Sequence, residues 1–274
     1  MSYRMFSALL LFALLVPSAN AQGLRVSATV KDALRLNAAG NEQTVANNFS
    51  LFQGGRVYDY VEAAGEVVIF DRSADQFIVL NLERNVFTRI TFVELQKMLD
   101  ARGPKTQQYV AELGTKNSTE AERVARILTF QLNPDFEAAY DASSGALTLK
   151  SPSWKYSVST EEWEDKEQLQ KYLEYTGWMA RLNCILHPSS MFPEPRLALN
   201  EELNKLDGRL PVIVQLDLRP DERLVLRAEY QFVRNLTDHD QRLISDWNAA
   251  IKSPDTRELP FRRYQETVLV SQIR

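Results

Sequence analysis

One cysteine, Cys184, and two histidines, His187 and His239, stand in a chain of 274 residues. A lone cysteine closes no internal disulfide, and with two histidines it falls short of the usual four-ligand zinc sites. Lysine and arginine number 32 against 36 aspartates and glutamates, so neither sign dominates. That balance argues against capture of nucleic acid by its phosphates, and against a polybasic patch for a membrane surface. The longest apolar run, 5–16, is well short of the roughly 20 residues a spanning helix needs. No stable membrane insertion is therefore expected. The nucleophile elbow, the zincin helix, the phosphate loop and the dinucleotide fingerprint are all missing. The sequence names no reaction, no metal and no cofactor, and the expectation is a protein that is not an enzyme.

What is present begins with an address. Arg4 precedes the apolar run 5–16, Pro17 ends it, and Ala19-Asn20-Ala21 has the small-x-small pattern that signal peptidase reads. Residues 1–21 are expected to be a cleaved signal, with the cut between Ala21 and Gln22 and a secreted or periplasmic product. The alternative, an uncleaved anchor, fails on length. Arg4 is the only charged side chain removed, so the mature chain is one unit more negative than the -4 of the whole. In an oxidising compartment an exposed thiol is a liability. Cys184 lies among Leu182, Ile185 and Leu186, which predicts burial, with an intermolecular disulfide as the alternative.

Residues 24–91 are dense in strand signals. The segments 24–30 (LRVSATV) and 56–62 (RVYDYVE) alternate, with Val57, Asp59 and Val61 on one face and Tyr58 and Tyr60 on the other. Runs at 66–70, 76–81 and 86–91, divided by short polar turns, read as an antiparallel meander. The period then becomes helical. Phe92, Leu95, Met98 and Leu99 predict a helix stopped by Gly103-Pro104, with 105–118 as an exposed loop. Thr119 and Glu122 suggest a capping box opening a second helix to 132. Strands return at 146–150 and 154–158, followed by the longest helix, about 163–186, with Gly177 marking close packing or a bend. A proline-rich connection leads to a shorter helix near 196–206. The clearest hairpin joins 211–218 (PVIVQLDL) to 223–233 (RLVLRAEYQFV) through a turn at 219–221. A helix over 238–252 follows, and 253–274 is left open. About ten strands and five helices, in runs rather than alternation, mean an α+β fold with an antiparallel sheet. We expect 22–274 to form one domain, with helical insertions at 92–132 and 163–206.

The candidate chemical groups have ordinary structural readings. Asp238, His239 and Asp240 resemble metal ligands, yet they occupy a first helical turn where carboxylates complement the dipole and Thr237 caps. The acidic pairs Glu161-Glu162 and Glu164-Asp165 fit a solvated strand-to-helix junction, and serve hydrolysis only if two acids converge across a cleft. Three glycosylation acceptors, at Asn48, Asn117 and Asn235, matter only in a eukaryotic secretory route. The aromatics carry more. Trp154, Tyr156 and Trp178, with Met179, are the candidate lining of an apolar ligand cavity between sheet and helices; the alternative is that such rings simply fill the core.

The stretches 52–60 (FQGGRVYDY), 66–71 (EVVIFD), 77–81 (FIVLN) and 86–90 (VFTRI) resemble, in pattern and order, a meander of secreted LolA-like proteins, the periplasmic lipoprotein carriers and their relatives. The resemblance covers about 24–91 and extends to the hairpin at 211–233. It implies a curved antiparallel sheet, an incomplete barrel, with helices covering one face over an apolar cavity. It implies a lipid or a lipidated envelope protein as partner, and transfers no individual functional residue. Three functions follow as expectations: non-catalytic binding of a hydrophobic ligand or lipidated partner; adaptor contacts with other envelope proteins; and a carboxylate hydrolase. One shared curved sheet with an apolar concavity favours the first, whereas two small sheets exclude it.

Overall fold

The computed structural model describes residues 23–187, 190–218 and 224–269. The signal segment with Ala21 and Gln22, and the hairpin turn at 219–221, lie outside the described residues.

Twelve strands form one open sheet. The meander runs β1 (Leu24–Leu36), β2 (Glu42–Gln53), β3 (Arg56–Val61), β4 (Glu66–Asp71), β5 (Gln76–Asn81) and β6 (Val86–Thr91). Two helices follow, α1 (Phe92–Gly114) and α2 (Thr119–Leu132). Next come β7 (Glu137–Asp141), β8 (Ala146–Lys150), β9 (Lys155–Glu162), α3 (Lys166–Leu186) and α4 (Glu194–Lys205). The chain closes with β10 (Arg209–Asp217), β11 (Val225–Arg234), α5 (Asp238–Lys252), β12 (Arg257–Glu258) and α6 (Phe261–Leu269). In space the order is β12-β6-β5-β4-β3-β2-β1-β11-β10-β9-β8-β7, antiparallel except where β12 meets β6. The decisive pairing is β1 with β11, Val26 opposite Phe232 and Ala28 opposite Tyr230. It fuses the early meander and the late hairpin into a single α+β sheet that does not close into a barrel.

Helices cover one face from end to end. Phe92 and Leu95 of α1, Tyr175 and Leu182 of α3, and Phe261 and Tyr264 of α6 pack on Val57, Phe70, Phe77 and Ile90. Leu169, Tyr172 and Leu173 of α3, with Leu199 and Leu203 of α4, pack on Leu147, Tyr156, Val158 and Val214. The opposite face is covered only over the meander, where Ile244 and Trp247 of α5 meet Leu51, Tyr58, Val67, Ile69 and Ile78. Strand β4 is thus buried at every position. This accounts for the unbroken apolar run at 67–70, since a strand covered on both faces has no reason to alternate.

The segment expected to be a loop, 105–118, is helical through Gly114, so α1 runs straight through Gly103-Pro104. Proline deprives the helix of one backbone donor. The Thr106 hydroxyl donates to the Arg102 carbonyl at 3.1 Å. Arg102 in turn donates to the Cys184 carbonyl and lies over the Phe192 ring, tying this turn to α3. Ser118 rather than Thr119 caps α2, accepting from the Ala121 amide. Asp165 caps α3, which therefore starts at Lys166 and not at 163. The undecided C-terminal segment forms α6, with Phe261, Tyr264 and Val268 buried at helical spacing. Strand β7 carries no pattern, being exposed at all its positions, and exists through its pairing with β8.

Gly145 ends the β7–β8 turn at φ +68°, in the left-handed region, and a Cβ there would come within 2.7 Å of the Thr160 carbonyl oxygen. Both the backbone conformation and the space call for glycine. Gly145→Ala is expected to cost about 1–3 kcal/mol in urea denaturation. A cost below the error of that measurement would mean that the turn relaxes freely.

Candidate functional site

The two core clusters on the helix-covered face meet at Phe52, which packs on Tyr172 of one and Tyr175 of the other, and beside that bridge they leave a gap. Between them the floor of the sheet is made of Val26, Ala28 and Val30 of β1, Asn48 and Ser50 of β2, Asp59 of β3 and Tyr230 of β11. Tyr172, Tyr175, Thr176, Met179, Ala180 and Asn183 of α3 form the roof, and Arg196 of α4 closes one side. The spacing of the α3 residues is that of one helical face. Floor and roof fail to meet because the middle of the floor is small: Ala28 sits where a Leu or Phe would reach the helix. The hollow measures about 250 Å³. A second, of about 320 Å³, shares Ala180, Asn183 and Arg196 with it and adds Trp154, Tyr156, Met191, Phe192 and Pro195. The two form one groove, inner and outer, hinged at Arg196. Ala28, Val30, Met179 and Ala180 are only half-buried and Asn183 is exposed, so the groove opens to solvent.

Three of the four residues expected to line a cavity do so: Trp154 and Tyr156 in the outer hollow, Met179 in the inner one. Trp178 is not brought to them. It points to α1, stacked on Phe92 at 4.0 Å between ring centroids, with Arg181 over its other side. Trp163 packs on Phe232 at the sheet.

The groove carries polar groups that the aromatic pattern did not mark. Asp59 is 6% exposed. Its carboxylate accepts from the Ser50 hydroxyl at 2.6 Å, and that hydroxyl lies 3.2 Å from the Tyr175 Oη. Burial raises the Asp59 carboxyl above the usual range, against the two hydroxyls. The alternation of 56–62 had already placed this acid on the face of Val57 and Val61, which is a readable anomaly. Glu66, outside the groove on the same face, is raised in the same way by burial and accepts from the Tyr264 hydroxyl at 2.8 Å. Arg196 has its Nε donating to Asn200 Oδ1 at 3.1 Å and is otherwise surrounded by the phenols of Tyr156, Tyr172 and Tyr230. The Tyr172 Oη and the Trp154 Nε1 are buried without a hydrogen bond, as is Asn48 Oδ1.

The remaining candidates have structural places. Asp240 turns inward, receives the Thr237 hydroxyl and amide in a capping box, and pairs with Arg25. Glu161, Glu162 and Glu164 are exposed, and Asp165 caps α3. Cys184 is fully buried, its thiol pushed up to about 11 by burial. Asn48 faces the groove, and Asn117 and Asn235 are exposed. A larger hollow, about 420 Å³, lies by the Gly54-Gly55 turn and α3. Its cations are already engaged, Arg56 with Asp71 at 2.7 Å and Arg72 with Glu174 at 2.7 Å. Among the described residues, no helix is long and apolar enough to cross a membrane.

No protein-family model matches the chain, and no curated protein matches it in sequence.

Proposed function

We propose that this chain is a secreted or periplasmic binding protein that holds an apolar chain, of a lipid or of a lipidated envelope partner, in the groove under α3 without transforming it. The observation that carries the reading is the gap between two well-packed clusters, floored by Ala28 and Val30 and roofed by Met179 and Ala180. Soluble cores are packed to crystal-like density, so a gap that opens to solvent and has an apolar strip of Val26, Ala28, Val30, Met179 and Ala180 among its polar groups is a place for a ligand. The fusion of meander and hairpin into one sheet supports the LolA-like reading of the fold. Only one acid, Asp59, lines the groove, which gives a two-carboxylate hydrolase no partner there.

The test is binding of 1-dodecanol, an uncharged chain, followed by native mass spectrometry and by titration. The natural protein is expected to take it up, and Ala28→Trp, which fills the inner hollow from the floor, to lose at least about tenfold in affinity while keeping its circular dichroism. Equal binding by both proteins overturns the reading, and so does a natural protein that takes up no dodecyl chain, neutral or charged.

A second reading, docking of another envelope protein, rests on a different feature. The β1–β2 ribbon continues beyond its last pairing with β11 at Asp32, and its tip exposes Leu34, Leu36 and Val45.

A further inference from the structure

The end of the groove at Arg196 has a chemistry that an apolar chain alone leaves unused. Buried polar groups in folded proteins almost always have partners. Here two donors fall short. Tyr172 is 2% exposed and Trp154 is 3% exposed, and neither the Tyr172 hydroxyl nor the Trp154 indole N–H makes a well-formed hydrogen bond, the first lying beside Arg196 and the second beside the Tyr156 phenol. One lines the inner hollow and the other the outer. Between them lies the Arg196 guanidinium, which donates to Asn200, has the Tyr172 and Tyr230 phenol oxygens beside it, and makes no ion pair with a described residue. Asn183 borders both hollows beside it. Burial keeps the Tyr156 and Tyr172 phenols protonated at any physiological pH, Tyr156 being pushed up to about 12 and Tyr172 higher still. Helix α4 also begins here, with Glu194 and Arg196 in its first turn and no side-chain cap from Pro193. The acids nearby lie elsewhere. Asp59 borders only the inner hollow and is hydrogen-bonded to Ser50, and Glu194 faces Arg181. Donors and positive charge therefore converge with neutral phenol oxygens beside them and no carboxylate paired to Arg196.

We propose that this cluster is an anion-recognition pocket, built on Arg196, Tyr172 and Trp154, and that the ligand of the groove is an amphiphile with one anionic head group, a carboxylate or a phosphate ester. The inference rests on the groove reading above and specifies its ligand. Arg196 supplies a forked, charged donor suited to either anion, while the phenol and the indole fix its position from two sides. The alkyl chain follows the apolar floor past Val26, Ala28 and Val30.

The experiment compares four probes of one chain length on the purified protein: dodecanoate, dodecyl phosphate, 1-dodecanol and dodecyltrimethylammonium. At least one of the two anions is expected to bind about tenfold or more tightly than dodecanol, the effect of a charge-assisted contact. The better anion of the two assigns carboxylate or phosphate. Arg196→Met is expected to bring anion and alcohol within about twofold of one another, read as the ratio of the two affinities on the same variant. Tyr172→Phe guards against a folding failure at Arg196. It removes a hydroxyl that makes no well-formed hydrogen bond in the free protein, so it is expected to raise the melting temperature and yet to weaken the anion several-fold. Dodecanol binding as well as either anion, or the ammonium binding best, overturns the head-group inference and leaves the groove standing. Binding of none of the four overturns the groove with it. A Tyr172→Phe protein that keeps full anion preference and gains no stability would remove Tyr172 from the pocket.

Discussion

Replacing Trp247 with alanine is expected to cost about 3–5 kcal/mol of stability, the range for a large aromatic removed from a packed site. Trp247 is 4% exposed and is the centre of the layer that α5 lays on the outer face of the meander. Its ring lies against three others, Tyr60 at 5.7 Å and Phe49 and Tyr58 at 6.3 Å. Few other side chains hold α5 down. Ile244 is buried beside it, Leu243 and Ile251 are partly so, and Asn248 donates to the Tyr58 hydroxyl at 3.1 Å. Among the described residues nothing packs behind α5, so the cavity left by alanine has no second layer to collapse into it. Urea denaturation followed by circular dichroism reads the loss. Binding of a dye for exposed apolar surface is expected to rise, because Leu51, Ile69 and Ile78 lie beneath the helix. Trp247→Phe retains a ring and is expected to recover more than half of the effect. A loss under about 1 kcal/mol for the alanine variant would mean that α5 is dispensable to the sheet. The groove is on the opposite face, so ligand affinity measured well below the melting temperature should not move.

The same helix illustrates what could be read beforehand. Its start was legible from Thr237 and Asp240, a capping box written in sequence, and its inward residues from their helical spacing. Its destination was not. The run at 67–70 is uniformly apolar, which is compatible with a second cover but does not say which helix supplies it. Turn chemistry and alternation located strands β3 to β6 to within a residue, because each is short, β-branched and bounded by polar turns. They failed at β7, whose alanines and exposed acids hold no face, and at α1, where contacts of Arg102 with α3 and Phe192 prevail over a Gly-Pro stop. The groove was half legible. Aromatic count led to Trp154 and Tyr156 and helical spacing to Met179. Ala28 gives no signal, since a cavity is made by what a small residue omits. Arg196 looks like any basic residue of a surface helix until the β1–β11 pairing brings Tyr230 to it. Trp178 was misassigned because adjacent positions on a helix face differ by about 100°, and α1 claims its side.

Asp59 gives the second large effect, and its sign depends on pH. Its carboxyl is buried, has two hydroxyls near it and no cation among the groups that shift it, and burial raises its pKa. In the unfolded chain it ionises near the ordinary aspartate value of about 3.9. A group that holds its proton more tightly in the folded state contributes its full stability below the unfolded pKa. That contribution is lost as pH rises, at up to about 1.4 kcal/mol per pH unit, until the raised folded pKa is passed. Asp59→Asn keeps an oxygen to accept from Ser50 and never ionises. The two proteins are therefore expected to be nearly equal in stability near pH 3.5. With rising pH the asparagine variant should become the more stable of the two, by about 1–3 kcal/mol at neutrality, the scale of a buried, poorly compensated polar group. Glu66, also raised, and Asp71 and Asp240, which are lowered, impose their own pH dependence on both proteins. The difference between the two curves cancels the contributions of Asp71 and Asp240 and leaves Asp59 together with its repulsion of Glu66. Paired urea denaturations at pH 3.5, 5, 6.5 and 8 measure it. A constant difference across that range, or a natural protein more stable than the variant at pH 8, would mean that the carboxylate is ionised and satisfied in the groove. If the groove binds the ligand proposed above, a buried acid on its floor, held at a cost an amide would relieve, is a group available to that ligand. On that account Asp59→Asn should stabilise the free protein while changing what the inner hollow accepts.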